Sequence, residues 1–337
     1  MKINYKGNID LTIGAGGRAM NQLIHDLMLA EFDNEFLAQQ GDQAILPPAN
    51  GKLAFSTDSY VVSPLFFNGG DIGSLAINGT VNDLAVGGAI PLYIAAGFII
   101  EEGFPLAQLR EIVKSMANAA KTANVKIVTG DTKVVEKGKG DGIFINTSGI
   151  GVVENDWVAT SPQDDDLVII NGAIGDHGMA IMSKRQGLNF ASDISSDCAA
   201  LNSLITSLAP YQKHIKVMRD PTRGGVSAVL NEWATFYNCS FEIDEEKLLI
   251  NESVRGLSEI LGLDPLHIAN EGKVMLVVAK DYAEEICTLM KNHPLGQESR
   301  IIAKVNPANQ VKVSMKTLFG GLRRVDWLNG EQLPRIC

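Results

Sequence analysis

The polar stretch over residues 154–166, with Pro162 and the run Asp164-Asp165-Asp166 inside it, divides the chain into two halves. Each half carries its own helical and strand patterns, so each must close around its own core. The chain has 337 residues, and at roughly 150 residues per domain that length also predicts two domains. We expect an N-terminal domain over 1–155, a C-terminal domain over 165–328 and an arm over 329–337.

In the first half, Met20, Leu23, Ile24, Leu27 and Met28 share a helical face after the Gly-rich turn at Gly14. A short strand is expected over 52–55, ending at Ser56-Thr57-Asp58. Asp71 is placed to cap a helix carrying Ile72, Leu75 and Ala76. Pro105 opens a helix with Leu109, Ile112, Val113 and Met116 on its apolar side. Strands are expected over 92–100, 125–128 and 143–153. In the second half, strands over 167–170 and 273–279 alternate with helices near 179–185, 198–208, 224–238 and 281–291. Without strict βαβ alternation, this pattern points to α+β in both halves.

Lys and Arg total 29 against 39 Asp and Glu, a net charge of −10. An acidic chain of this kind repels nucleic acid and anionic membrane surfaces. A local site with Mg²⁺ can still hold phosphates. The uncharged stretch over 84–100 contains Gly87, Gly88, Pro91 and Gly97, which suit a turn and a buried strand better than a membrane span. The segment MKINYKGNID has no apolar core for a secretory signal, so a cytoplasmic protein is expected. Cys198, Cys239 and Cys287 sit in apolar or helical contexts and read as inert buried thiols.

Four aspartates stand at strand or helix ends: Asp42, Asp58, Asp83 and Asp131. Converging carboxylates repel one another unless a cation neutralises them. Mg²⁺ with a nucleotide phosphate does so, because it prefers oxygen ligands and keeps coordination positions for substrate. Taken singly, each reads more readily as a cap or turn residue. Asp220-Pro221-Thr222-Arg223-Gly224-Gly225 precedes the best-formed helix, where backbone N–H groups can receive phosphate and Arg223 adds charge. His177 lies between glycines in an expected turn. The ending Pro334-Arg335-Ile336-Cys337 reads as a flexible arm with a thiol at its tip. Such a thiol suits a carrier that is loaded by one protein, processed in a pocket and offered to another.

The motifs Phe55-Ser-Thr-Asp-Ser-Tyr-Val61, Asn82-Asp-Leu-Ala-Val-Gly-Gly-Ala-Ile-Pro91, Thr129-Gly-Asp-Thr-Lys133, Asp220-Pro-Thr-Arg-Gly-Gly225, Asn270-Glu-Gly-Lys273 and Pro334-Arg-Ile-Cys337 together resemble the HypE family of hydrogenase maturation factors. The resemblance covers essentially the whole chain, and the Pro-Arg-Ile-Cys ending is its most specific part. The aspartate motifs are shared with aminoimidazole ribonucleotide synthetase, selenide water dikinase and thiamine-monophosphate kinase. The resemblance implies an α+β, two-domain, aminoimidazole ribonucleotide synthetase-like fold. Its N-terminal domain would form a dimeric β-barrel, and its C-terminal domain an α/β sandwich.

It also implies an ATP-dependent carbamoyl dehydratase. In that family the terminal Cys, here Cys337, receives a carbamoyl group from the carbamoyltransferase HypF. The S-carboxamide is dehydrated to an S-cyanate, and the cyanide passes to iron on the HypC–HypD complex for [NiFe]-hydrogenase. On that pattern Mg²⁺ falls to Asp42, Asp58, Asp83 and Asp131. The nucleotide falls to Asn82, Asp83, Gly130, Thr132, Asp220, Thr222, Gly224, Gly225 and His177. Glu271 is expected to accept a proton near the arm tip and Lys133 to stabilise charge, with these roles exchangeable. The rival readings are another ATP-dependent enzyme of the superfamily, or a non-catalytic scaffold presenting Cys337. A selenide water dikinase would carry its reactive Cys near the N-terminal Gly-rich turn, whereas the first Cys here is Cys198.

Overall fold

The computed structural model describes residues 4–153, 157–185, 193–309, 312–328 and 335–337. Two main sheets organise it. The N-terminal sheet contains β1 (Lys52–Tyr60), β4 (Ala89–Glu101), β5 (Lys126–Val135) and β6 (Ile143–Val153), in the order β1-β6-β4-β5. A small hairpin, β2 (Phe66–Phe67) with β3 (Gly70–Asp71), lies beside it. Helices Ile72–Val86 and Leu106–Ala123 supply Leu75, Leu109 and Ile112 to the same core as Ile94 and Ile100 of β4. Asp71 caps the first of these helices in a reciprocal box with Ser74, as its position predicts.

Two strands are longer than expected. β1 runs through Asp58 because exposure alternates along it, with Ser56, Asp58 and Tyr60 turned inward and Phe55, Thr57 and Ser59 outward. β5 continues through Thr129–Lys133, pairing Gly130 with Ala96 and Lys133 with Ile99. Gly130 marks a close approach and not a loop, since a Cβ there would lie 2.3 Å from the Ala96 carbonyl oxygen. β1 and β5 are the two edges of the sheet. They are separated by three strand spacings, about 14 Å. The outward face leaves Leu53, Phe55 and Ile99 exposed at 66%, 69% and 47%.

The C-terminal sheet contains β7 (Leu167–Ile170), β8 (Ile215–Arg219), β9 (Cys239–Asp244), β10 (Met275–Val278), β11 (Arg300–Pro307), β12 (Val313–Lys316) and β13 (Leu322–Arg324). Their order among the described residues is β13-β12-β9-β11-β7-β10-β8. Alternate residues feed opposite faces. Val168, Ile170, Met275 and Val277 pack with helix Gly225–Phe236, and Ile169, Leu276 and Val278 pack with helix Ala283–Lys291.

Two local expectations change. The helix expected over 198–208 forms only at Asn202–Ser207, and residues 194–201 run without regular structure between the two domains. The expected turn at Gly175–Gly178 is instead the start of helix Asp176–Arg185, which buries His177 completely. No helix among the described residues is long and apolar enough to cross a membrane.

Candidate active site at the docked C-terminus

Arg335, Ile336 and Cys337 are seated against the body of the protein. The rest of the expected arm, 329–334, lies outside the described residues. Val61 N–H donates to the Cys337 main-chain oxygen at 3.1 Å, and Ser63 N–H donates to the Arg335 carbonyl at 3.2 Å. This is a short antiparallel addition to the segment that leaves β1. Arg335 Nε donates to the Val61 carbonyl at 2.9 Å, and its guanidinium pairs with Asp141. Ile336 is 4% exposed and joins the N-terminal core.

This seating places the Cys337 thiol where carboxylates from both domains converge. Burial pushes its pKa up to about 12, and Glu271 pushes it the same way, as do Asp58 and Asp220; Arg223 is the cation that opposes them. Glu271 is itself buried, and its Oε1 has no hydrogen-bond partner among the described residues. Burial holds its carboxyl well above the usual carboxylate range, helped by the charges of Asp220, Asp197, Asp58 and Asp83. Asp220 is pushed up to about 7, first by burial and then by Asp83. Asp83 is raised by burial, while Ser56 Oγ donates to its Oδ2 at 2.8 Å.

The Glu271 main chain is held on both sides. Its N–H donates to Asp197 Oδ1 at 3.0 Å, and its carbonyl accepts from Asn82 Nδ2 at 3.2 Å. Asp197 also takes Gly272 N–H at 3.2 Å and pairs with Lys273 at 3.1 Å. Burial works to raise its pKa, but the Lys273 charge and the Glu271 N–H help to keep this carboxylate below its ordinary pKa. Gly272 permits the approach, because a Cβ there would sit 1.8 Å from the Asp197 carbonyl oxygen. Asn270 ties this turn to the 220–225 turn, donating from its main chain at 3.1 Å and from Nδ2 at 3.0 Å to the Pro221 carbonyl. Gly224 and Gly225 have φ of +76° and +60°, and a Cβ on Gly225 would meet the carbonyl oxygens of Leu266 and Ile268 at 2.6 Å. Thr222 closes that turn, its carbonyl accepting from Gly225 N–H at 2.9 Å.

The expected site residues therefore fall into groups. Cys337, Glu271, Asp58, Asp83 and Asp220 act on one another across the domain interface. Asn82 is fully buried and staples the domains through the Ala199 and Glu271 carbonyls and Leu201 N–H. His177 spends both ring nitrogens on Ser196 and on the Ile336 carbonyl, leaving neither for a nucleotide while the tail is docked. Gly130, Asp131, Thr132 and Lys133 lie on β5, the far edge of the sheet from Asp58. There Lys133 pairs with Asp131 and holds its carboxyl below the usual range. Asp42 is exposed, in the segment before β1. No three His, Cys, Asp or Glu side chains among the described residues form a ready-made metal cage.

Sequence reasoning did not single out Ser196, Asp197, Arg185 or Asp141. None belongs to a periodic pattern, and their partners lie far along the chain.

The AIR synthase related protein N-terminal domain matches residues 40–153, and the C-terminal domain of the same description matches residues 163–316. Fold and site thus define a two-domain protein of the AIR synthase related class. The carbamoyl dehydratase HypE of Rhizobium leguminosarum bv. viciae is 52% identical over 334 residues, covering 98% of this chain and 95% of that protein. The hydrogenase maturation protein HypE in complex with ATP superposes with a TM-score of 0.93 at 45% identity, covering 97% of this chain and 99% of that one. HypE in a HypE–HypF complex superposes with a TM-score of 0.80 at 51% identity, covering 91% and 99%. The chain belongs to the carbamoyl dehydratase HypE family.

Proposed function

We propose that this protein dehydrates a carbamoyl group carried on Cys337 to a thiocyanate, using ATP, and so supplies cyanide ligands for the iron of [NiFe]-hydrogenase. The observation that carries this reading is the docking of Cys337 on the segment that leaves β1, where the charge of the buried Glu271 carboxyl acts on its thiol. An amide oxygen is a poor leaving group. Transfer of the γ-phosphoryl group to that oxygen, with loss of ADP and one N–H proton, gives an S-bound iminophosphate. Loss of the second N–H proton, with departure of phosphate and the C–O bonding electrons, forms the C≡N bond. The sum is S-carboxamide plus ATP to S-cyanate, ADP, phosphate and one proton.

Glu271 is suited to take a proton from that nitrogen. A carboxylate raised toward neutrality by burial is a stronger base than an exposed one. Arg223 is placed to offset negative charge arriving at the tip of the arm. The donors Asp58 and Asp83 fit Mg²⁺, which takes one or two carboxylates and completes its coordination with phosphate oxygens and water. Bound there, Mg²⁺ would neutralise triphosphate charge. The same positive charge would relieve the repulsion that Asp58 and Asp83 impose on Glu271.

The apolar outward face of the N-terminal sheet fits a second copy of the chain. We assign Asp131 and Lys133 to the site of that second copy. Two such sheets closed into a barrel, with the two-fold along its axis, set each β1 edge beside the other copy's β5 edge. The supplier of the carbamoyl group is a HypF carbamoyltransferase, and the acceptor of cyanide is a HypC–HypD complex. An ATPase assay separates this enzyme from a scaffold that merely displays Cys337. Phosphate release should depend on a carbamoylated tail, and equal release with and without that group would contradict the proposal.

A further inference from the structure

The docked tail is gripped by its main chain and by the side chains of residues 335 and 336. His177 is wholly buried, packed edge-on against Phe67 at 5.5 Å between ring centroids. Its Nε2 lies 2.8 Å from the Ile336 carbonyl oxygen, and its Nδ1 lies 2.8 Å from Ser196 Oγ. A carbonyl can only accept, so Nε2 must carry the proton in this contact. In the neutral ring Nδ1 is then an acceptor and Ser196 O–H must donate to it. Ser196 Oγ is oriented in turn by Cys198 N–H, which donates to it at 3.1 Å. Burial depresses the pKa of His177, in keeping with the neutral ring.

Arg185, at the C-terminal end of the helix that carries His177, closes the other side. Its Nη2 donates to the Ser63 carbonyl at 2.6 Å and to the Arg335 carbonyl at 3.1 Å.

We propose that His177 is a positioning residue that latches the C-terminal tail in the docked state, with Ser196 holding the Nδ1 side of the ring. The latch holds main-chain oxygens and never touches sulfur. It is therefore indifferent to whether Cys337 is free, carbamoylated or cyanated. Undocking breaks the same bonds at every stage of the cycle. This extends the assignment of Cys337 as a carrier and rests on that reading only for its second test.

The first test reads tail docking alone. The full-length protein is treated with iodoacetamide, and modification of Cys337 is followed in time by mass spectrometry of the C-terminal peptide. A docked thiol is half-buried with its pKa pushed up to about 12, so alkylation reports chiefly the released fraction. His177→Leu should raise the rate roughly tenfold, as expected for loss of one buried hydrogen bond. His177→Gln keeps an N–H that can reach the same carbonyl and should stay within about twofold of the parent. Ser196→Ala, which removes the partner of Nδ1, should fall between them. A parent-like rate in folded His177→Leu would overturn the latch. So would a His177→Gln rate equal to that of His177→Leu, because packing and not the donor would then be at work. If His177→Leu does not fold, an unchanged rate in Ser196→Ala overturns it instead.

The second test uses carbamoylated protein. His177→Leu should lower the kcat of ATP-dependent water loss while the KM for ATP stays within about twofold. An unchanged kcat beside raised alkylation would overturn the positioning role. Parent protein that loses no water at all would sink the dehydratase reading and leave the alkylation result standing.

Discussion

Val61 N–H donates to the main-chain oxygen of Cys337 at 3.1 Å. This bond joins the last residue of the chain to the segment leaving β1, the strand that carries Asp58 on its inward face. Tail docking and the carboxylates that converge at the domain interface are thus parts of one local structure. The thiol arrives among Glu271, Asp58, Asp220 and Arg223 because β1 leads the tail there.

Glu271→Gln should leave the fold intact, since it exchanges a buried carboxyl with an unpartnered oxygen for an amide of the same shape. It should lower the rate of thiocyanate formation by a factor on the order of 100 or more, the range for a lost general base. ATP binding, followed by isothermal titration calorimetry, should survive. Full dehydration activity would remove Glu271 from the mechanism.

Lys133→Ala should be similarly inactive by itself. Because Lys133 and Asp58 lie on opposite edges of one sheet, a dimer should complement. An equal mixture of Lys133→Ala and Glu271→Gln subunits, unfolded and refolded together, should regain about one quarter of parental activity. Half of the dimers would be mixed, with one intact site in two. No recovery would place Lys133 in the same chain's site or outside the mechanism.

Much of this arrangement was legible in the sequence, and the limits have physical causes. The Asp71 cap and the helix Leu106–Ala123 were readable because capping and helical periodicity are local. The motifs carrying Asp58, Asp83, Asp220 and Glu271 drew attention to these residues through resemblance and not through spacing, but the expected grouping of Asp58 and Asp83 with Asp42 and Asp131 does not form within this chain. β5 looked like a strand ending in a loop because Gly130 and Asp131 are poor strand formers. Pairing with β4 overrides that preference. His177 looked like a loop residue among glycines. Its burial depends on a partner 159 positions away, which no local pattern reports. The docked tail was hidden for the same reason. A polar, Pro-containing end reads as an arm until the carbonyl, guanidinium and N–H groups that receive it are placed in space.

The pH dependence of stability follows from Asp220. Its folded pKa is raised from 3.8 to about 7, chiefly by burial. The unfolded chain therefore loses this proton near pH 4 while the folded protein keeps it until about pH 7. The protonated group's contribution is full below the unfolded pKa, declines as the pH rises, and is lost above about 7. The loss amounts to at most about 4 kcal/mol. Asp220→Asn should flatten this decline, so that its Tm falls less than the parent's between pH 5 and pH 8. Parallel pH profiles for the two proteins would contradict the assignment.

The most direct measurement is the mass of the C-terminal peptide after incubation with a HypF carbamoyltransferase, carbamoyl phosphate and ATP. The account predicts a carbamoyl addition on Cys337 that loses one water only when this protein can use ATP. A carbamoyl adduct that persists unchanged with ATP and Mg²⁺ present, or one that loses water equally well without the nucleotide, would contradict it.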